Sequence, residues 1–186
     1  MIILASKSPR RKDLLSRAGV EYKAITSDAE ETRIDGESPR EQAERLASLK
    51  ANDVAKIHGL DLPVLGSDTI VVLDGKTLGK PIDRADGARM LKELAGRWHT
   101  VITGVSLIDT NGTEKIISVQ SEVSFRNLSD YEIESYLDTG EPFDRAGSYA
   151  IQGIGAFIID SLKGSYTNVI GLPLKETLEM LKEIEQ

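Results

Sequence analysis

The first seventeen residues, MIILASKSPRRKDLLSR, constrain the fold more than any other stretch of the chain. The apolar run Ile2-Ile3-Leu4-Ala5 reads as a buried strand. Ser8 is a good N-cap, Pro9 suits the first helical position, Leu14 and Leu15 give an apolar face, and Gly19 is a C-terminal stop. A strand feeding a helix through a tight serine loop is the unit from which α/β sheets are built. It also turns free N–H groups and the positive end of a helix dipole outward, an arrangement suited to phosphate. Lys7, Arg10, Arg11, Lys12 and Arg17 stand against the single Asp13 here, in a chain whose net charge is −7. A basic helix start inside an acidic protein points to a site for phosphate or another polyanion. The plainer alternative is a solvated helix face. On either reading, neither Arg10 nor Arg11 is needed in the core.

The rest of the chain alternates strand and helix signals. Tyr22 to Thr26 reads as strand, and 27–37 as a polar loop with Asp28, Glu30, Glu31 and Asp35. Ser38 and Glu41 form a capping box for a helix ending at Gly59, and Ser129 with Glu132 forms another. Asp83 caps a third helix, stopped by Gly96, and Pro173 opens the last. Two apolar runs around residues 63–66 and 69–73 read as strand interrupted by Gly66-Ser67-Asp68. Residues 148–159 read as a strand broken by glycines. Asp74-Gly75 and Asn111-Gly112 mark two hairpins. Hairpins inside an alternating pattern predict a mixed sheet with flanking helices, in one domain at this length.

Composition removes several function classes. With no cysteine there is no disulfide, thiolate catalysis or zinc–cysteine site, and a reducing cytoplasm fits. No apolar run is long enough to span a bilayer, and the basic cluster follows rather than precedes the first apolar run, unlike a signal peptide. A pI near 5.0 argues against general nucleic-acid affinity. Two histidines, far apart in sequence, exclude a histidine-rich metal site. His58 reads as a surface residue and His99 as structural. Gly75-Lys76-Thr77 lacks the upstream glycine of a phosphate-binding loop, since position 70 is Ile, and Gly153-Ile154-Gly155 lacks the third glycine of a dinucleotide fingerprint. Asp68, beside glycine at an expected element junction, is either a pocket carboxylate or a turn former. Lys80, between Gly79 and Pro81, and Lys50, mid-helix, each have the ordinary alternative of a solvated lysine.

In order along the chain, Leu4-Ala5-Ser6, Ser8-Pro9-Arg10-Arg11, Glu31, Leu46-Ala47, Lys50-Ala51, Gly66, Asp68-Thr69 and Gly79-Lys80-Pro81 resemble the Maf family of nucleotide pyrophosphatases. So do Thr103-Gly104-Val105, Gly140-Glu141-Pro142, Asp144, Ala146-Gly147, Tyr149, Ile151-Gln152-Gly153 and Gly171-Leu172-Pro173-Leu174. The resemblance implies an α/β fold like that of inosine triphosphate pyrophosphatase, with two lobes around a cleft. It implies cleavage of a nucleoside triphosphate to monophosphate and pyrophosphate, with a divalent cation, Mg²⁺ or Mn²⁺. Arg10, Thr69 and Gln152 are similar to the specificity positions of the dTTP/UTP pyrophosphatase branch. Asp68 is then the general base, Glu31 a candidate metal ligand, and Ser6, Ser8, Arg10, Arg11, Lys50 and Lys80 the substrate contacts. Gln152 offers one donor and one acceptor to the imide edge of uracil or thymine; a flipped amide would accept cytosine, so CTP and modified pyrimidine nucleotides stay within reach. Family members often dimerise, which leaves a homodimer open. A nucleotide-binding regulator without turnover is the alternative from another class.

Overall fold

The computed structural model describes residues 1–32 and 34–184. Strand β1 (Ile2–Ala5) leads into helix α1 (Pro9–Arg17), then β2 (Tyr22–Ile25), α2 (Pro39–His58), β3 (Val64–Leu73) and β4 (Lys76–Leu78). There follow α3 (Arg84–Leu94), the long strands β5 (Trp98–Ile108) and β6 (Glu114–Phe125), and α4 (Asp130–Asp138). After three 3-10 turns (Glu141–Asp144, Ala146–Ser148, Gly153–Ile158) come β7 (Ile159–Lys163), α5 (Tyr166–Ile170) and α6 (Leu174–Ile184). The strands form one sheet in the order β2-β1-β3-β5-β6-β7, with β4 paired to β3. β1 runs parallel to both β2 and β3, while β3–β4 and β6–β7 are antiparallel, so the sheet is mixed as expected. No helix among the described residues is long and apolar enough to cross a membrane.

The chain divides into two compact units. The first comprises Met1–Thr69, Thr103–Val119 and the stretch from Gly171; the second comprises Ile70–Ile102 and Gln120–Ile170. The first contains a core of Ile3, Ala5, Ala51, Val54, Val64 and Ile108. The second is built around Leu91, Leu94, Phe125, Ile133, Tyr136, Leu137 and Ile158.

Local signals set the helix ends. The Ser8 hydroxyl accepts from the Arg11 N–H, and both predicted capping boxes form, at Ser38–Glu41 and Ser129–Glu132. The β3–β4 turn places Asp74 and Gly75 at φ 50° and 76°, the left-handed pair a tight hairpin needs.

Two expectations fail. β3 is continuous through Gly66-Ser67-Asp68, so Asp68 lies mid-strand and not at a junction. Gly66 is there for closeness, not for a break: a Cβ at this position would lie 2.3 Å from the Ala47 carbonyl oxygen of α2. Gly104 of β5 meets the same helix, with a would-be Cβ 2.2 Å from the Ala43 carbonyl oxygen. Helix α2 thus lies with its small residues Ala43, Ala47 and Ala51 on a floor of glycines. The second failure is 148–159, which is irregular backbone and 3-10 turn up to Ile158, with strand only from Ile159; Ser148 and Gly153 both have positive φ, which interrupts extended backbone.

Candidate active site

Within the first unit, the β1–α1 loop is tied to its surroundings through Arg11. The Arg11 Nε donates to the Gly171 carbonyl (2.7 Å), Nη1 to Ser6 Oγ (3.1 Å) and Nη2 to Thr69 Oγ1 (3.2 Å). Ser6 Oγ also accepts from the Ser8 N–H at 3.2 Å, which folds the loop onto itself. Thr69 Oγ1 pairs with Thr103 Oγ1 (2.9 Å), and Ser67 Oγ donates to the Gly171 carbonyl (3.1 Å). Burial pushes the Arg11 guanidinium below its usual pKa, while the negative charges of Asp68 and Glu31 pull it back up; it stays protonated. Arg11 is therefore bonded to three groups of the fold, where the sequence alone suggests a side chain free for a ligand. Its planar fork of donors satisfies three protein acceptors, which charge counting along a helix does not reveal. Arg10 is half-buried at the second position of α1.

The carboxylate of Asp68 is almost fully buried, on a strand that α2 approaches closely at Gly66. Lys50, from α2, places Nζ 2.5 Å from Asp68 Oδ1 and 2.9 Å from Glu31 Oε1. The lysine side chain is only 15% exposed, unlike the solvated lysine that a mid-helix position first suggests. The close seating of α2 on Gly66 explains why a lysine there reaches a strand residue two positions later. The polar loop carrying Glu31 is held to the same helix. Arg45 forms a two-pronged pair with Glu37 (2.6 and 2.8 Å) and donates to the Thr32 carbonyl (3.1 Å). At the other end of the loop, Asp53 accepts from Ser27 Oγ (2.7 Å) and the Asp28 N–H (3.0 Å). Helix α2 thus presents a cation between two carboxylates and fixes the loop that supplies one of them.

Among the described residues, no group of three or more His, Asp or Glu side chains gathers where it could hold an ion alone. Asp68 and Glu31 do form a pair of hard oxygen donors on one cation. A magnesium-type ion commonly takes one or two carboxylates and draws its other ligands from phosphate and water. The donor set fits an ion that arrives with a triphosphate.

In the second unit, Lys80 Nζ pairs with Asp144 Oδ1 at 2.5 Å, both side chains being exposed. Gln152 is half-buried at the N-cap of the 3-10 turn Gly153–Ile158, and its side chain does not cap that turn. His99 is buried, with Nε2 2.7 Å from the Tyr149 hydroxyl and its ring edge-on to Phe125 and Tyr149. Burial pushes its pKa down to about 4, so it stays neutral and structural. The structure therefore gathers Ser6, Ser8, Arg11 and Thr69 in one network and Glu31, Lys50 and Asp68 in another, both in the first unit. Lys80 and Gln152 belong to the second. Reasoning from sequence missed Ser67 and Thr103 as partners of this machinery, and Tyr136 and Glu141 beside Gln152. Thr103 and Glu141 stand in the ordered motifs, whereas Ser67 and Tyr136 carry no such signal.

A family model described as Maf-like protein matches residues 1–184. The dTTP/UTP pyrophosphatase of Geotalea uraniireducens (strain Rf4) is 46% identical over 98% of this chain and 94% of its own. That of Syntrophotalea carbinolica is 49% identical over 98% and 84%, and that of Clostridioides difficile (strain 630) 46% over 98% and 94%. Among solved structures, a HAM1 protein from Coxiella burnetii matches with a TM-score of 0.55 at 20% identity, over 98% of each chain. The Staphylococcus aureus Ham1 protein matches with 0.54 at 17%, over 100% of this chain and 99% of its own. These two likenesses concern the fold and bear out the expected α/β class. By the family match and by its relatives, the chain belongs to the Maf family.

Proposed function

We propose that this protein hydrolyses dTTP and UTP to the monophosphate and pyrophosphate. The observation that carries the reading is the buried Asp68 carboxylate held by Lys50, with Glu31 on the same ammonium. Full-length relatives named dTTP/UTP pyrophosphatase support the choice of reaction and substrate. Water attacks the α-phosphorus, a new P–O bond forms, the bond to the bridging α–β oxygen breaks, and pyrophosphate leaves. Asp68 takes the proton from the attacking water. Rigid placement on β3 keeps the base at a fixed position, so that little ordering remains to be done when the water is bound.

Asp68 and Glu31 would hold a divalent cation, Mg²⁺ or Mn²⁺; when bound, such an ion neutralises phosphate charge and makes the water more acidic. Ser6, Ser8 and Arg10 contact phosphate at the helix start, and Arg11 holds that loop in shape while adding positive charge. Lys50 and Lys80 act as point charges. Thr69 and Gln152 set the choice of base, with Arg10 as the third specificity position. The protein acts in nucleotide metabolism, and a cytoplasmic location fits a chain without cysteine.

The test is pyrophosphate release across a panel of dTTP, UTP, CTP, ATP and GTP, with and without Mg²⁺. Release from dTTP and UTP well above the purines supports the reading. Binding of those nucleotides without release would make the protein a nucleotide-binding regulator.

A further inference from the structure

We propose that Glu141, with Tyr136, positions Gln152 for reading the base and so sets the preference for pyrimidine over purine nucleotides. This rests on Gln152 being the base reader. The first N–H groups of any helical turn need acceptors, and the N-cap side chain ordinarily supplies one. At the turn Gly153–Ile158 the N-cap residue is Gln152, and it does not do so. Glu141 does it from another segment: Oε1 accepts from the Ile154 N–H (3.2 Å) and Oε2 from the Gly155 N–H (2.7 Å). The Gln152 carboxamide is thereby released from capping and left for a ligand.

Glu141 is itself held. The Tyr136 hydroxyl donates to Glu141 Oε2 at 2.8 Å and accepts from the Ala150 N–H at 3.2 Å. The backbone is therefore gripped two residues before Gln152 and two and three residues after it. Tyr136 lies on the buried face of α4 and is 1% exposed, so the grip is anchored in the core of its unit. Burial and the Glu141 carboxylate both raise the phenol's pKa, which keeps the hydroxyl a donor.

The glycines beside Gln152 follow from this grip. A Cβ on Gly153 would lie 2.2 Å from Glu141 Oε1, and one on Gly155 would lie 2.3 Å from the Tyr136 hydroxyl oxygen. Either side chain would push the clamp away from the backbone it holds. Glu141 touches no substrate in this account; it is a positioning residue.

The test is kcat and KM for UTP and GTP in the wild type, Gln152→Ala, Glu141→Ala, Glu141→Gln and the double variant Glu141→Ala/Gln152→Ala. Glu141→Ala should lower the UTP/GTP ratio of kcat/KM by about tenfold, the scale of a lost hydrogen bond to a charged group, chiefly through KM for UTP. Glu141→Gln keeps one acceptor oxygen and should recover part of the ratio. The double variant should match Gln152→Ala, because the two residues act through one contact. Amide exchange at Ile154 and Gly155 should quicken in Glu141→Ala. An unchanged ratio in Glu141→Ala, with Gln152→Ala lowered, overturns the clamp and leaves the base reader standing; a fully additive double variant does the same. An unchanged ratio in Gln152→Ala overturns both. If Glu141→Ala does not fold, Glu141→Gln and Tyr136→Phe decide, and both must show a lowered ratio.

Discussion

Gly66→Ala should damage stability and activity together. A Cβ at position 66 would lie 2.3 Å from the Ala47 carbonyl oxygen, 2.8 Å from the Ala51 nitrogen and 2.9 Å from the Ala51 Cβ. Carbon contacts are comfortable at about 3.5–4.0 Å, so α2 must retreat by roughly 1 Å. No rotamer change relieves the clash, because the two nearest obstacles are backbone atoms. Lifting the helix at Ala47 and Ala51 also strains its close seating on Gly104, where a Cβ would be 2.2 Å from the Ala43 carbonyl oxygen. Overpacking commonly costs 1–3 kcal/mol, and with backbone on the far side the cost here should be about 3 kcal/mol or more. Urea unfolding followed by circular dichroism reads that loss. The helix carries Lys50 and the strand carries Asp68, 2.5 Å apart, so turnover of UTP by the folded fraction should fall by about 100-fold, the usual result of a 1 Å misplacement. Gly79→Ala is the control for stability, because nothing lies within 4 Å of its would-be Cβ. A Gly66→Ala variant with wild-type midpoint and wild-type turnover would refute the seating of α2 as the device that brings lysine to carboxylate.

Arg11→Lys keeps the charge but cannot donate to Gly171, Ser6 and Thr69 together; it should lower stability by about 1–3 kcal/mol in thermal or urea unfolding. Weakened nucleotide binding at unchanged stability would instead place this arginine on phosphate. His99 has its pKa lowered from 6.5 to about 4 by burial, so below pH 6.5 the unfolded chain takes up a proton that the folded chain refuses. The contribution is fully present above pH 6.5 and is lost as pH falls towards 4, by roughly 3 kcal/mol in all. His99→Gln, which does not titrate, should show a shallower loss of stability between pH 6.5 and 4; an unchanged slope would remove His99 as the source.

What was legible in the sequence was mostly local. Ser8, Pro9 and the two capping boxes act over four residues, and Asp74-Gly75 and Asn111-Gly112 act over two, so they read correctly in isolation. Gly66 misled because its reason lies in a helix fifteen or more residues earlier, and a packing glycine looks in sequence like a breaking one. The stretch 148–159 misled because Ile151, Ile154 and Phe157 look strand-like among glycines, although a spacing of three is also that of a 3-10 turn. At the site, the junction expected at Asp68 is absent because the strand runs straight through it. Arg11 meets Gly171, and Glu141 meets Gly155, only after folding, and no local pattern announces either pair.

The central claim is that Asp68 is the base for hydrolysis of a pyrimidine triphosphate. Asp68→Asn preserves size and polarity and removes proton uptake. Pyrophosphate release from dTTP by the folded protein should fall by about two orders of magnitude or more, a larger drop than the loss of dTTP binding by calorimetry, while the unfolding midpoint falls because Lys50 loses its buried partner. Full turnover in Asp68→Asn would contradict the account.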